Sequence, residues 1–192
     1  KSTLIENNEK KKKKNTNKKK TKKEKNKIIE KIKKKKLTPL NINVSGDPSS
    51  AAFFVALTLL SQNSSIKIKN VGLNPSRIGF YKILKKQNAK LKFLNLKKEN
   101  NEIRGDILVQ SCKLKPLKTG ANMYPSTTDE YLLLFLIASF QDGVSSFKGI
   151  SDLANKESSR ANEMKKILNQ IGIKCRLSQN EMKIYGKKKI NV

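Results

Sequence analysis

The chain has 192 residues, enough for one ordinary domain or two small ones, and it carries a net charge of +28 with 36% apolar residues. The imbalance sits at the front: residues 1–40 hold eighteen Lys against four Glu, whereas the rest adds a further +14 and has apolar runs long enough for a core. There is no His, and the two Cys, Cys112 and Cys175, lie far apart, so neither a disulfide framework nor a transition-metal site is expected.

Basic character attracts phosphate non-specifically, but the charge is almost all Lys, with four Arg, no Trp and scattered aromatics. That is not the stacking platform of single-strand binders, and a nucleic-acid partner is not expected. The longest apolar run, Tyr131–Phe140, is too short to span a bilayer. The N-terminus shows no apolar stretch behind its charge, so no signal peptide is expected. A cytoplasmic location follows as the expectation.

Residues 1–37 are Lys-rich and read as disordered or irregular, since blocks of like charge oppose compaction. Pro39 marks a break, and Leu40–Val44 alternates like a short strand. In SGDPSSAAFFVALTLLSQ, Asp47 or Ser49 can cap a helix with Pro48 in its first turn. Ala51–Leu60 then reads as a helix buried on most of its surface. Ser64–Asn70 alternates as a strand. Ile78–Gln87 is an amphipathic helix, with Asn88 suited to the left-handed closing position. A strand begins at Leu91, residues 97–104 read as a polar link, and Ile107–Val109 as a final strand.

The second half repeats the order. A short strand is expected near Leu117, a turn at Pro125–Thr128, a helix over Asp129–Phe140 and a strand over Val144–Lys148. A loop from Gly149 leads to a helix over Ser158–Gln170, closed near Gly172. Ile173–Leu177 and Glu181–Tyr185 pair around Gln179–Asn180. AFFVALTLLSQNSSIKIKNVG echoes YLLLFLIASFQDGVSSFKGIS, and ILKKQNAKL echoes ILNQIGIKC. The expected fold is therefore α/β, with tandem strand–helix–strand–helix–strand–strand units, helices inside and sheets outside. The expected division is 1–37, a crossover at 38–47, and a partial domain over 48–192 in two units, about 48–114 and 115–192.

The polar residues gather in two places. Lys156, Glu157 and Arg160 sit at i, i+1 and i+4 beside a helix start, whose free N–H groups favour an anion. Arg can grip a phosphate or carboxylate bidentately, and Lys adds a point charge. An ordinary solvated helix start fits the same residues. Asp129 and Glu130 fit an N-terminal capping arrangement with Thr127 or Thr128 as cap. They equally allow Asp129 to face the same cleft as Glu157, where two carboxylates beside two cations suit proton transfer next to an anionic substrate.

SGDPSSAAFF at 45–54, VGLNPSRIGFYKILKKQNA at 71–89, TTDE at 127–130, LANKESSR at 153–160 and ILNQIG at 167–172 together resemble the EPSP synthase (3-phosphoshikimate 1-carboxyvinyltransferase) family. The resemblance covers residues 38–186, and the NVGLNPSR piece separates it from the sister enzyme acting on a UDP-sugar. It implies enolpyruvyl transfer from phosphoenolpyruvate to the 5-hydroxyl of shikimate 3-phosphate, with release of phosphate and with no metal or organic cofactor. It also implies a monomeric parent of two domains, each of three repeat units, of which this chain holds the end of the first and two units of the second.

By the same resemblance, Asp129 contacts the ring hydroxyls and helps remove the 5-hydroxyl proton. Glu157 is the acid–base residue at the methylene carbon, Lys156 the cation beside the reacting hydroxyl or phosphate, and Arg160 a phosphoenolpyruvate-binding guanidinium. Asp152 joins Lys156 and Arg160 among the substrate-binding residues. The chain departs from the family at Ala154, where Arg is usual, at Ser159, where an acid is usual, at Ser45, where Pro is usual, and in lacking His. The isolated chain is expected to be inactive. Polyanion binding through the Lys tract and a non-catalytic repeat domain stand as the other readings.

Overall fold

The computed structural model describes residue 39, residues 41–155 and residues 159–187, with backbone alone at 154 and 155. The chain divides into two units, Lys1–Asn43 and Val44–Val192. The Lys-rich tract expected over 1–37 lies outside the described residues, and residues 39 and 41–43 have no regular structure. The strand expected over Leu40–Val44 is not formed at 41–44; Gly46 alone makes an isolated parallel bridge, to Val71.

The second unit opens with α1 (Pro48–Leu60), whose N-cap is Asp47: its carboxylate accepts from the Ser50 N–H at 2.7 Å. Pro48 costs nothing at the first helical position, where no intrahelical partner exists for an N–H. The helix buries Ala51, Ala52, Val55, Ala56 and Leu59 but leaves Phe53, Phe54 and Leu57 more than half exposed. It is therefore less enclosed than its apolar sequence suggests. β1 (Ser65–Gly72) and α2 (Gly79–Lys86) follow, α2 burying Phe80, Tyr81, Ile83 and Leu84. Asn88 takes the left-handed conformation after it, at φ 68°.

β2 (Lys90–Glu99) and β3 (Glu102–Gln110) correct the expected polar link at 97–104. The ladder runs on through Lys97–Arg104 and Lys98–Ile103 to Glu99–Glu102. Asn100 and Asn101, at φ 51° and 64°, make the two-residue turn, a conformation that Asn tolerates and that matches strand twist.

The second copy is β4 (Lys118–Thr119), two 3-10 turns (Ala121–Ser126 and Thr128–Glu130), α3 (Tyr131–Ser139) and β5 (Gly143–Lys148). It continues with α4 (Ser151–Asn155), α5 (Arg160–Gln170), β6 (Lys174–Leu177) and β7 (Glu181–Gly186). Asp129 and Glu130 thus lie in a 3-10 turn, not in the helix expected to start at Asp129. α4 was not expected, and α5 begins at Arg160 because Ser159, at ψ 83°, is its non-helical N-cap.

The first sheet has the order β1–β3–β2 and the second β4–β5–β7–β6. With the Gly46 bridge standing where β4 stands, both copies share one pattern: a parallel first pair, then two antiparallel pairs. The helices α1 and α3 pack together between the sheets, giving the expected helices-inside arrangement. Tyr131, Phe135 and Phe147 are fully buried and meet edge to face, Phe135 and Phe147 at 4.9 Å. Cys175 is buried and Cys112 half-buried, both as free thiols.

Candidate active site

Each repeat passes from its first strand position into its apolar helix through a short polar segment, SGDPSS in one and STTDE in the other. These segments meet. The Ser49 hydroxyl donates to Glu130 Oε1 at 2.5 Å and accepts from Arg77 Nη2 at 3.2 Å. The same Nη2 lies 3.7 Å from both Asp47 Oδ1 and Asp129 Oδ2. Tyr81, buried in α2, donates to the Pro48 carbonyl at 2.5 Å.

The capping account of Asp129 and Glu130 holds in position but not in side-chain bonding: Thr127 stands at the N-cap of the 3-10 turn with both acids in its first turn. Neither Thr127 nor Glu130 makes a side-chain cap bond, and the Thr128 hydroxyl donates backward to the Tyr124 carbonyl at 2.9 Å. Both carboxylates instead reach into the first repeat.

Their environments differ. Glu130 is 4% exposed, and burial raises its carboxyl pKa, with the neighbouring Asp129 charge adding to the rise against the Ser49 bond and Arg77. Asp129 is 61% exposed in its side chain. A carboxyl whose pKa rises on folding stabilises most when protonated, so this contribution is present below the ordinary value of 4.5 and is lost as pH climbs through the raised value. Glu130→Gln, which keeps an acceptor for Ser49, is expected to match the parent in denaturant midpoint at pH 4 and exceed it at pH 7. An unchanged difference between the two pH values would contradict this assignment.

The 3-10 turn Ala121–Ser126 is wedged between Gly79 of the first repeat and the Gly149 loop of its own. At one end a Cβ on Gly79 would fall 2.0 Å from Thr127 Oγ1 and 2.6 Å from the Ser126 carbonyl. At the other, a Cβ on Gly149 would fall 2.4 Å from Ala121 Cα. Only glycine permits both approaches, and Gly149 leads directly into α4, which carries exposed Asp152.

In the middle of this turn stands Tyr124, its ring 5.3 Å from that of Tyr131. Its hydroxyl oxygen is buried without a hydrogen-bond partner. Burial raises its pKa first; the charges of Asp152 and Asp129 raise it further, and Arg160 opposes them. Tyr124 escaped the sequence reading because nothing in NMYPSTTDE marks one aromatic as burying its hydroxyl without a partner.

Lys156 and Glu157 lie outside the described residues. Ser159 is not helical, and α5 begins at Arg160. Ser159 accepts from the Asn162 N–H at 3.3 Å. The departure from an acid at this position therefore still leaves a good helix cap, since Ser and Asp rank alike there.

Two copies of an α/β unit whose polar segments meet at one edge, with Asp47, Asp129 and Glu130 gathered about Arg77 and Ser49, define a repeat-built α/β protein. The EPSP synthase (3-phosphoshikimate 1-carboxyvinyltransferase) family model matches residues 17–192, and the chain belongs to this family. The 3-phosphoshikimate 1-carboxyvinyltransferase of Sulfurihydrogenibium sp. is 37% identical over 158 residues, covering 82% of this chain and 37% of the relative. That of Bacillus subtilis is 35% identical over 153 residues, covering 80% and 36%. The solved EPSP synthase of Acinetobacter baumannii superposes with a TM-score of 0.76 at 33% identity, over 81% of this chain and 35% of that one. The chain thus spans little more than a third of the length of the curated relatives it matches. No helix among the described residues is long and apolar enough to cross a membrane.

Proposed function

We propose that the chain supplies one side of the site that transfers the enolpyruvyl group of phosphoenolpyruvate to the 5-hydroxyl of shikimate 3-phosphate, releasing phosphate. The observation that carries this reading is the meeting of Asp129 with Arg77 of the other repeat, beside Ser49 and Glu130, in a chain of this family. Exposed Asp129 is the carboxylate for the ring hydroxyls and accepts the 5-hydroxyl proton as oxygen attacks. Glu157 protonates the methylene carbon in the addition and removes a proton from it in the elimination. Lys156 and Arg160 hold the phosphate and carboxylate charges, with Asp152 on the ring substrate; fixed charges cost no reorganisation as charge moves.

The isolated chain is assigned no turnover, because a site that lacks most of its walls loses the positioning that supplies much of the rate. The parent is taken as a cytoplasmic monomer needing no cofactor. The test replaces the matching segment of the Bacillus subtilis relative with residues 44–192. The graft is expected to release phosphate only with both phosphoenolpyruvate and shikimate 3-phosphate present. A folded graft with no turnover would contradict the proposal and favour a non-catalytic repeat domain.

A further inference from the structure

Two adjacent acids enter the cleft edge, yet the functional reading uses one of them, and the geometry points to what separates their roles. We propose that Arg77 is a positioning residue: with Ser49 it draws Glu130 inward and holds the Asp129 carboxylate outward, toward the ligand. This rests on the reading of Asp129 given above and deepens it.

Arg77 is itself aimed by its own loop. The Asn74 side chain accepts from the Ser76 N–H at 3.0 Å and the Ser76 hydroxyl at 2.8 Å, and the Arg77 N–H donates to the Asn74 carbonyl at 2.8 Å. This closes NPSR into a tight turn. From there one nitrogen reaches three groups of the cleft edge: the cap of α1 at Asp47, the first turn of α1 at Ser49, and Asp129 of the other repeat.

The distances sort the two acids. Ser49 accepts from Arg77 and passes a hydrogen bond of 2.5 Å to Glu130, so Glu130 is bonded, buried and occupied. Asp129 lies 3.7 Å from the guanidinium, beyond the roughly 2.7–2.9 Å of a direct charge-assisted bond. At that range the charge orients the carboxylate, while its lone pairs stay free to accept from a substrate hydroxyl. Both Arg77 and Asp129 are more than half exposed, and exposed ion pairs contribute little to stability. Holding the fold together is therefore not what this contact is for.

The test uses the full 192-residue chain, labelled with nitrogen-15, as parent, Arg77→Gln and Arg77→Lys. Without ligand, Arg77→Gln is expected to leave the denaturation midpoint unchanged, shift the amide signals of residues 128–131, and have Arg77→Lys return them toward the parent. In titration of the Bacillus subtilis graft with shikimate 3-phosphate, Arg77→Gln is expected to raise Kd about tenfold, the effect of one misplaced hydrogen bond, with Arg77→Lys close to the parent graft. Unmoved amide signals, an unchanged Kd in Arg77→Gln, or a fallen midpoint that Lys fails to rescue would each overturn the proposal. Amide signals that follow Arg77 in the chain, together with a folded graft that shows no response to shikimate 3-phosphate, would leave Arg77 as the group that places Asp129, and would sink the functional reading instead.

Discussion

Asp129→Asn in the Bacillus subtilis graft is expected to lower kcat by about 10²–10⁴-fold, the range for losing a positioned acid–base group. Stability should stay within about 0.5 kcal/mol, as for an exposed substitution away from packing, because the side chain is 61% exposed. Asparagine keeps the shape and one acceptor oxygen, so the loss should fall on kcat and kcat/KM together, with KM little changed. Steady-state phosphate release decides the matter. A variant within a fewfold of the parent would remove Asp129 from the chemistry and leave it as the surface partner of Arg77.

Gly149→Ala is expected to destabilise the full chain by about 2–5 kcal/mol, combining left-handed strain with overpacking. At φ +79° an added Cβ is strained whatever the space, and here it would fall 2.4 Å from Ala121 Cα and 2.5 Å from Ala121 Cβ. Backbone must move, and the segment that moves is the 3-10 turn carrying Tyr124 toward Asp129 and Asp152. Chemical denaturation measures the first effect, and amide signals of residues 121–130 the second. An unaltered midpoint with unmoved signals would mean that this turn does not rest on the loop before α4.

The two consequences differ in how far the sequence announces them. GDPSS declares the start of α1 because an Asp cap and a first-turn Pro act within four residues. The repeated order was legible in the echo between the two apolar helices. The β2–β3 ribbon was not: Lys97, Lys98 and Glu99 are exposed, and a strand solvated on its outer face loses the apolar alternation by which strands are read. α4 spans five residues, with Leu153 buried, too short for any period.

At the site, local chemistry misled. Acids before an apolar helix normally serve its N-terminus, yet Glu130 finds Ser49, 81 residues earlier in the chain, and Asp129 faces Arg77 from the other repeat. No local rule contains such a contact. The nearest signal was the NVGLNPSR piece, which the family resemblance singled out without saying that its Arg would turn to Asp129. Asp129, Asp152 and Arg160 were named as candidates through the family's motifs, whereas the place of Tyr124 and Arg77 beside them needed coordinates.

The account depends on the edges of both repeats lining one pocket, with the segment that holds Lys156 and Glu157 facing Asp129. Paramagnetic broadening tests this most directly: a nitroxide on Glu157→Cys, in a chain whose Cys112 and Cys175 are replaced by Ser and Ala. The account predicts strong broadening of the amide signals of residues 124, 128–131 and 152, and none at Asn100 and Asn101. Sharp signals throughout 124–131, with broadening confined to α5 and the strands after it, would contradict it.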